Sequence, residues 1–315
     1  MNYKNTLAAI ALAAAAFPVT SLALACGDAI GVPGVVNLTA DLGPCPGDGL
    51  KIETSGVTVN LNGFKITGSG VANGINLRNG STIEINGPGT IVGFGTGVFK
   101  TGMPESGLTV YKVSFLKNSS GIFLSKQNNA VLHANTIYGG SSGVYLIEVN
   151  NVIIDENSIS RIAGPGVYAT NSLNVWVAHN IINKNVDGVV GVPGPSGLSM
   201  RVASNQLQSN TQDGARIGIA FGGPVFLYGN EASSNLRDGL SFIGSAAAST
   251  SAARGNRAIN NGRRGVGVTG DRWRVINNTL TPNSVSDIFW DGIGANTCFS
   301  SNVFVTSVPG ALPGC

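Results

Sequence analysis

The sequence predicts an all-β protein that folds as a parallel β-helix, a solenoid of about 10–11 coils of about 24 residues each. Three observations predict this fold. Small turn residues recur at a nearly constant spacing, and the segments between them alternate apolar and polar residues, as strands do. Charged residues, which fill exposed helices, are only 11 % of the chain, whereas glycine supplies 45 of its 315 residues.

Two landmarks repeat with the same period. A small turn residue precedes an aliphatic-x-aliphatic triplet at Gly49, Gly74, Gly97, Gly121, Gly143, Gly166, Gly188, Gly214, Gly239, Gly265 and Asp287. An asparagine two residues before an aliphatic or alanine side chain recurs at Asn135, Asn157, Asn180, Asn205, Asn230, Asn256 and Asn278. Two markers in one period indicate a structural repeat. We expect the asparagines to satisfy buried backbone groups at a turn, as a structural column.

One repeat contains three short strands. In residues 143–160, the segments 143–147, 150–157 and 158–160 each show a two-residue apolar period, with turns between them. A helix needs about ten residues with a period of 3.6, and a propeller blade needs about 40 residues or more. Three strands in about 24 residues therefore describe one coil, and coils stack about 4.8 Å apart.

The ends of the chain predict export. Residues 1–25 read as a secretory signal peptide, with Lys4, the apolar run Leu7–Phe17 and a small-x-small site at Ala23–Ala25. A mature chain would start at Cys26, a position that also admits lipidation. No later run is apolar and long enough to span a bilayer. The net charge of +3 is too small to predict a nucleic-acid partner.

Four cysteines divide the mature chain into three parts. We expect a disulfide-stapled cap over residues 26–48, a β-helix over 49–297 and a disulfide-stapled tail over 298–315. Four cysteines allow three pairings, of which the local pairs Cys26–Cys45 and Cys298–Cys315 are favoured. Disulfides predict a periplasmic or extracellular location.

The residues before each landmark asparagine alternate between core and surface. Positions three and five before it form apolar columns, so positions two and four should face outward. The outward columns combine aromatic and basic side chains, namely Trp176, Arg201, Phe226, Tyr228, Arg254 and Arg274. Solvent alone does not require this combination, so these residues are candidates for substrate binding.

A second outward column follows the glycine landmarks. It contains Phe99, Phe123, Tyr145, Tyr168, Val190 and Arg216. The aromatic residues, with Phe123, Tyr145 and Tyr168 as the candidates, could hold sugar rings. The alternative is a stacked ladder that stiffens the sheet.

Three adjacent coils are longer than the others. Their extra residues fall at the same level, in 191–197, 219–224 and 244–249. Stacked loops of this kind predict a wall beside a strand face that edges a substrate groove. Tolerated surface insertion is the alternative.

Asp187, Asp213 and Asp238 precede the landmark glycine on consecutive coils and are candidate catalytic residues, with Arg216 and Arg237 nearby. Neighbouring carboxylates about 5 Å apart raise one another's pKa, which suits a general acid. Such carboxylates also resemble a glycosidase pair or a shared Ca²⁺ site. The alternative is structural, because Asp-Gly is a favoured turn dipeptide.

The two histidines predict surface ion pairs. The register places His133 beside Asp155 and His179 beside Glu156, one coil apart in each case. The two rings lie in different columns, two coils apart, so no metal site is predicted from them.

The chain resembles the right-handed parallel β-helix proteins of the pectate-lyase-like superfamily, in particular the bacterial exported right-handed β-helix region proteins. The resemblance rests on Cys26-Gly-Asp, on Cys45-Pro-Gly-Asp-Gly, on the segment 57–68 and on the ending from Asp291 to Cys315. It implies a right-handed, single-stranded β-helix over essentially the whole mature chain. It is specific for fold and not for function, because this fold hosts lyases, hydrolases, epimerases and adhesins.

Known catalytic signatures of similar proteins are missing. The Asn-Thr-Asp, Asp-Asp and Gly-His-Gly motifs of pectin hydrolases do not occur, and neither does the Asp-Pro-His motif of alginate epimerases. The Asp column with Arg216 or Arg237 resembles, loosely, the calcium and arginine site of pectate lyases. The sequence therefore favours an exported protein that binds an acidic polysaccharide or cell-surface glycan along its side and needs no cofactor. A polysaccharide lyase or hydrolase, and a structural or adhesive rod, are the alternatives.

Overall fold

The computed structural model describes residues 24–102, 106–219, 223–244, 251–294 and 296–315. The predicted signal peptide lies almost entirely outside these ranges. The described chain winds into a right-handed parallel β-helix of about 11 coils, as predicted. No helix occurs among the residues described, and none of them forms a helical segment that is long and apolar enough to cross a membrane.

The strands form three rows that run the length of the rod. Row 1 is a 13-stranded parallel sheet. Its strands are Asp28–Ile30, Leu50–Ile52, Asn73–Leu77, Thr96–Lys100, Ser120–Ser125, Ser142–Ile147, Val167–Thr170, Val189–Val192, Ala215–Ile219, Asp238–Gly244, Arg264–Thr269, Ser286–Trp290 and Ser307–Val308.

Row 2 follows row 1 around each coil. Its strands are Gly34–Asn37, Val57–Asn60, Ile83–Val92, Ser106–Leu116, Asn128–His133, Asn150–Asp155, Leu173–Ala178, Met200–Ala203, Val225–Tyr228, Ser251–Arg254, Trp273–Ile276 and Cys298–Ser300. Row 3 closes the coil. Its strands are Leu42–Cys45, Lys65–Gly68, Thr136–Tyr138, Ser158–Ser160, Ile181–Asn183, Gln206–Gln208, Glu231–Ser233 and Arg257–Ile259. The long strands Ile83–Val92 and Ser106–Leu116 pass from row 2 into row 3.

The core follows the predicted columns. The positions three residues before the landmark asparagines are fully buried: Leu132, Ile154, Val177, Val202, Leu227, Ala253 and Val275. The positions five residues before them are buried as well, including Trp273 and Met200. Because side chains alternate along a strand, the intervening residues point outward.

The asparagine column is a hydrogen-bonded ladder, as predicted. The Asn157 backbone N–H donates to Oδ1 of Asn180 at 2.8 Å, and Nδ2 of Asn157 donates to the same oxygen at 3.0 Å. A second ladder, which the sequence analysis missed, fills the corner between rows 3 and 1. It contains Asn185, Asn210, Asn235, Asn261 and Asn283.

Disulfides join Cys26 to Cys45 and Cys298 to Cys315, the two predicted local pairs. Strands within the predicted cap, such as Asp28–Ile30, pair with the next coil, and Ser307–Val308 of the predicted tail pairs with Ser286–Trp290. The stapled ends are therefore continuous with the sheets of the solenoid.

Candidate functional site

The outer surface of row 2 carries the aromatic and basic residues singled out in the sequence. The register places Trp176 beside Arg201 and Arg201 beside Phe226 on successive coils. Trp176 is 42 % exposed, and the Arg201 guanidinium lies over the Phe226 ring, 5.8 Å from its centroid. We call this surface the row-2 face. It comprises Trp176, Arg201, Phe226, Tyr228, Arg254 and Arg274.

The row-2 face continues toward the C-terminus with a higher density of arginine. Tyr228 stacks on Phe226 with ring centroids 5.6 Å apart, and it lies beside Arg254 in the register. Burial raises the pKa of the Tyr228 hydroxyl, while Arg201 and Arg254 act in the opposite direction. The positive charges of Arg201 and Arg254 thus both act on the hydroxyl group of Tyr228. Arg254 and Arg274 are exposed and available to an anionic ligand.

A groove of about 430 Å³ runs beside these residues. It is lined by Asn151, Ile153, Asn174, Val175, Trp176, Ser199, Met200, Arg201, Pro224 and Phe226. Of these lining residues, Pro224 is the last residue of one long loop, and Ser199 follows another by two residues. The predicted wall of three loops falls partly outside the described residues, which leave out 220–222 and 245–250.

The aromatic column of row 1 is a continuous stack. Ring centroids are 5.3 Å apart for Phe99 and Phe123, 5.6 Å for Phe123 and Tyr145, and 4.7 Å for Tyr145 and Tyr168. Planes tilted by only 8–18° put the rings face to face. The faces of Phe123 and Tyr145 are covered by their neighbours, so only ring edges reach solvent. This geometry favours the stabilising role over a platform for sugar rings.

The structure brings the five candidate catalytic residues together at the corner where row 1 begins. The Asp213 backbone N–H donates to Oδ1 of Asp187 at 3.2 Å, and the Asp238 N–H donates to Oδ1 of Asp213 at 3.0 Å. Arg216 Nη2 lies 3.2 Å from Oδ2 of Asp187, and Arg237 Nε lies 3.6 Å from Oδ1 of Asp213. The column is an acidic counterpart of the asparagine ladders.

The carboxylates of this column lie beneath arginines. Asp187, Asp213 and Asp238 are only 0–3 % exposed. Arg263, which the sequence analysis did not select, binds both oxygens of Asp238, with Nε to Oδ1 at 2.7 Å. A carboxyl group that acts on a polymer must touch it, and these oxygens are covered by side chains. Their hydrogen bonds favour a structural role.

Asp213 is the least compensated member of the column. Burial is the largest influence and raises the pKa of its carboxyl group. The hydrogen bond from the Asp238 backbone N–H opposes this increase, as does the charge of Arg237, whereas the charges of Asp238 and Asp187 add to it. Its Oδ2 is buried and has no hydrogen-bond partner, although Arg216 Nε lies 4.0 Å away. A buried charge of this kind is costly for the fold.

Four titratable side chains meet at the corner between rows 2 and 3. His133 Nδ1 lies 3.4 Å from Oδ2 of Asp155, as the predicted pairing requires. The predicted pairing of His179 with Glu156 is wrong, because Nδ1 of His179 lies 2.8 Å from Oδ1 of Asp155. Glu156 and His179 both have positive φ, 54° and 53°. Their side chains lean diagonally over the preceding coil, where Glu156 approaches His133.

The described ranges contain no group of three or more His, Cys, Asp or Glu side chains arranged to hold a metal ion. The Asp column, proposed from the sequence as a Ca²⁺ site, consists of carboxylates that already bind backbone N–H groups and arginines. The second asparagine ladder and Arg263 were not predicted. The ladder repeats with the same period as the first one, so its spacing in the sequence was a signal that could have identified it.

Comparisons with known proteins identify the architecture. A family model described as "right handed beta helix region" matches residues 48–211, just over half of the chain. No curated protein matches. Among solved structures, a mutant of the periplasmic alginate epimerase AlgG is 16 % identical, with a TM-score of 0.59, and the match covers 87 % of this chain and 78 % of that one.

Two further structures share the solenoid. DFA-IIIase from Arthrobacter chlorophenolicus A6 is 14 % identical with a TM-score of 0.62, covering 84 % of this chain and 82 % of that one. The Dettilon tailspike protein is 13 % identical with a TM-score of 0.50, covering 90 % of this chain and 62 % of that one. At these identities the likeness shows a shared fold.

Proposed function

The chain belongs to the right-handed β-helix family, and from that premise we propose that it is an exported protein that binds an acidic polysaccharide along the row-2 face. The observation that carries the proposal is the juxtaposition of the exposed Trp176 ring with Arg201 beside a groove of about 430 Å³. The proposal is consistent with the similar solved structures, which include an alginate epimerase. Alginate is itself an acidic polysaccharide.

The chemistry of the row-2 face suits such a ligand. An exposed aromatic face packs against the CH groups of a sugar ring, and a guanidinium binds a carboxylate or sulfate with two hydrogen bonds. Arg201, Arg254 and Arg274 follow the rod axis, so they match a ligand whose charges repeat along a chain. Binding should weaken with salt, because exposed charges are screened.

Export is supported by the two disulfides, since such bonds persist in oxidising compartments. The predicted signal peptide, cleaved before Cys26, provides the route. In the structure Cys26 is engaged with Cys45, so its sulfur is not free to carry a lipid.

A lyase or hydrolase that uses Asp187, Asp213 and Asp238 remains the second candidate. The clustering of these residues with Arg216 and Arg237 supports it. Their burial beneath arginine side chains weighs against it, because a substrate would have to displace those side chains.

The proposal is tested by binding measurements on immobilised polygalacturonate, alginate and sulfated glycosaminoglycans, with uncharged dextran as the control polymer. We expect retention by at least one acidic polymer and not by dextran. Trp176→Ala and Arg201→Ala should each weaken binding about tenfold, the size expected for one lost contact of about 1.4 kcal/mol. Arg161→Ala, an exposed arginine at a different corner, should bind as the wild type does. A protein that binds none of the acidic polymers would refute the proposal.

A further inference from the structure

Two tyrosines on neighbouring coils lie face to face on the outer surface of row 1. The ring centroids of Tyr145 and Tyr168 are 4.7 Å apart, and the ring planes differ by 17°. This is the shortest spacing in the aromatic column, where the other two distances are 5.3 Å and 5.6 Å. Two oxidisable phenol rings are thus the most closely packed members of the column.

The sheet register aligns these two side chains atom by atom. Tyr145 in the strand Ser142–Ile147 is the direct partner of Tyr168 in the strand Val167–Thr170. The strands are parallel, so both side chains leave the sheet on the same face and in the same direction. The hydroxyl group and the Cε carbons beside it therefore lie next to their counterparts on the other ring. Both side chains are half-buried, which leaves their outer edges open to solvent.

The two hydroxyl groups act on each other. Burial is the largest influence on Tyr145 and raises the pKa of its hydroxyl group, and the charge of Tyr168 and a hydrogen bond with its side chain add to the increase. Tyr145 is therefore a neutral phenol at neutral pH. When such a phenol loses an electron it also releases its proton, and the hydrogen bond places an acceptor for that proton on the neighbouring ring.

The other tyrosines in the described ranges have different neighbours. Tyr111 stacks on His133, and Tyr228 stacks on Phe226. Tyr138 lies beneath the guanidinium of an arginine on the next coil. A stack of one tyrosine ring on another is therefore found at a single place in the part of the chain that the structure describes.

We propose that Tyr145 and Tyr168 form an oxidative modification site, at which a one-electron oxidant joins the two rings by a carbon–carbon bond to give dityrosine. The oxidant is a peroxide together with a haem peroxidase, which takes electrons from exposed phenols without entering the protein. The site lies on row 1 and uses no residue of the row-2 face. It is therefore independent of polysaccharide binding.

The reaction balances with one peroxide for each cross-link. The peroxidase removes one electron from each phenol, and each hydroxyl group releases its proton. The unpaired electron of each phenoxyl radical is shared between its oxygen and the Cε carbons. A bond forms between one Cε of Tyr145 and one Cε of Tyr168, and the hydrogen on each of these carbons moves to the phenol oxygen, which restores both aromatic rings. Hydrogen peroxide accepts the two electrons and two protons and becomes two molecules of water.

The fold permits the ring movement that this bond requires. The two Cε carbons must approach from a stacking distance to a covalent one, so the rings have to tilt toward each other at their outer edges. Those edges face solvent, whereas Val144 and Leu146, the neighbours of Tyr145 in its strand, are fully buried on the inner face. The tilt thus leaves the core undisturbed.

The cross-link fastens the middle of the rod. The four cysteines of the chain are all engaged at its two ends. Each coil of a solenoid contacts only its neighbours, so neighbouring coils can separate locally. A covalent bond between Ser142–Ile147 and Val167–Thr170 limits the unfolded states that these coils can reach. We expect amide hydrogen exchange in both strands to slow after cross-linking, with no change at Asp28–Ile30.

The test treats the mature protein with hydrogen peroxide and a haem peroxidase, at a protein concentration low enough to disfavour contacts between molecules. We expect a monomeric product that has lost two hydrogen atoms and shows the blue fluorescence of dityrosine. Proteolysis should yield a peptide pair joined through Tyr145 and Tyr168. Tyr145→Phe and Tyr168→Phe should each lose this product, and both variants should fold because phenylalanine keeps the ring stack. Tyr138→Phe, the matched control, should form the product as the wild type does.

A second placement of the pair tests whether stacking is the cause. Phe123 is the register partner of Tyr145 on the preceding coil, with ring planes within 8°. In a Tyr168→Phe background, Phe123→Tyr should therefore restore cross-linking to Tyr145. The yield should be lower than in the wild type, because these centroids are 5.6 Å apart.

Each contrary outcome overturns a stated part of the proposal. A product formed only between molecules, a product that persists in Tyr145→Phe, or one that is lost in Tyr138→Phe overturns the modification site. A Phe123→Tyr substitution that restores nothing overturns the role of stacking. Unchanged exchange in the two cross-linked strands overturns the stabilising role of the bond.

Discussion

Oδ1 of Asp213 accepts a hydrogen bond from the backbone N–H of Asp238 at 3.0 Å, whereas its Oδ2 has no hydrogen-bond partner. One half of this buried carboxyl group is therefore integrated into the coil-to-coil ladder, and the other half is not. The asymmetry explains why burial dominates and raises the pKa of Asp213. It has consequences for stability that can be measured.

The first prediction concerns the pH dependence of stability. Because the folded-state pKa of Asp213 is raised above its unfolded value, its favourable contribution is complete below the unfolded pKa and is lost as the pH rises through the folded pKa. In Asp213→Asn this titration is absent. The free energy of unfolding of the variant, relative to the wild type, should therefore increase as the pH rises through that interval. Urea unfolding at a series of pH values measures the difference.

Asp238→Asn is the matched control. Asp238 is equally buried, but both of its oxygens bind Arg263, which itself is partly exposed. The Asp238→Asn substitution should destabilise the protein by about 1–2 kcal/mol at neutral pH, since its charge-assisted hydrogen bonds to Arg263 are lost. A relative stability of Asp213→Asn that does not change with pH would contradict the argument.

The second prediction concerns the first asparagine ladder. Nδ2 of Asn205 donates to Asn230 Oδ1 and to the Val177 carbonyl, and its Oδ1 accepts from the Asn180 backbone N–H. Asn205→Ala leaves several buried polar groups without partners, each costing about 1–3 kcal/mol. We expect at least about 3 kcal/mol of destabilisation in denaturant unfolding. Asn183→Ala, at a half-exposed position, should cost less than about 1 kcal/mol, and equal losses would contradict the ladder's role.

The coil period, the core columns and the asparagine ladder could all be predicted, because identical positions in successive coils meet identical environments. The wrong predictions concern side chains at the corners between rows, because their contacts do not follow from the stacking of equivalent positions. His179 was expected beside Glu156 because both precede a ladder asparagine, but positive φ at that corner directs each side chain to the coil before it. Val190 is a different failure: it lies within the strand Val189–Val192 and was predicted in an outward column, but it is only 1 % exposed.

The candidate site was predicted in part. Stacking alone brings Asp187, Asp213 and Asp238 together, so their clustering with Arg216 and Arg237 followed from the period. Their burial did not, because the sequence could not show that Arg263 and its neighbours fold over the column. Trp176, by contrast, is exposed because no aromatic residue lies beside it in the register, where Ile153 and Arg201 flank it.

The third prediction separates the two aromatic surfaces. Tyr145 is stacked between Phe123 and Tyr168, so Tyr145→Ala should lower the free energy of unfolding by about 1–3 kcal/mol and leave polysaccharide affinity unchanged. Trp176→Ala should do the reverse, with a loss of affinity and a change in stability of about 0.5 kcal/mol or less, as for most surface substitutions. Thermal unfolding and binding of both variants check this. A loss of affinity in Tyr145→Ala would instead support the row-1 column as a binding platform.

The fourth prediction concerns the C-terminal staple. The Cys298–Cys315 disulfide holds the tail against the last coil, where Phe299 bridges to Gly314. A disulfide closing so short a loop contributes about 3 kcal/mol. Each coil of a solenoid contacts only its neighbours, so the effect of losing the bond should be local. In a Cys298→Ser, Cys315→Ser double variant, amide hydrogen exchange should accelerate in the strands Ser286–Trp290 and Ser307–Val308. It should stay unchanged in the coil that contains Asn157.

The corresponding Cys26→Ser, Cys45→Ser variant should show the same effect at Asp28–Ile30 and Leu50–Ile52 instead. Accelerated exchange throughout the rod in either variant would show that the coils unfold as one unit, contrary to the nearest-neighbour argument.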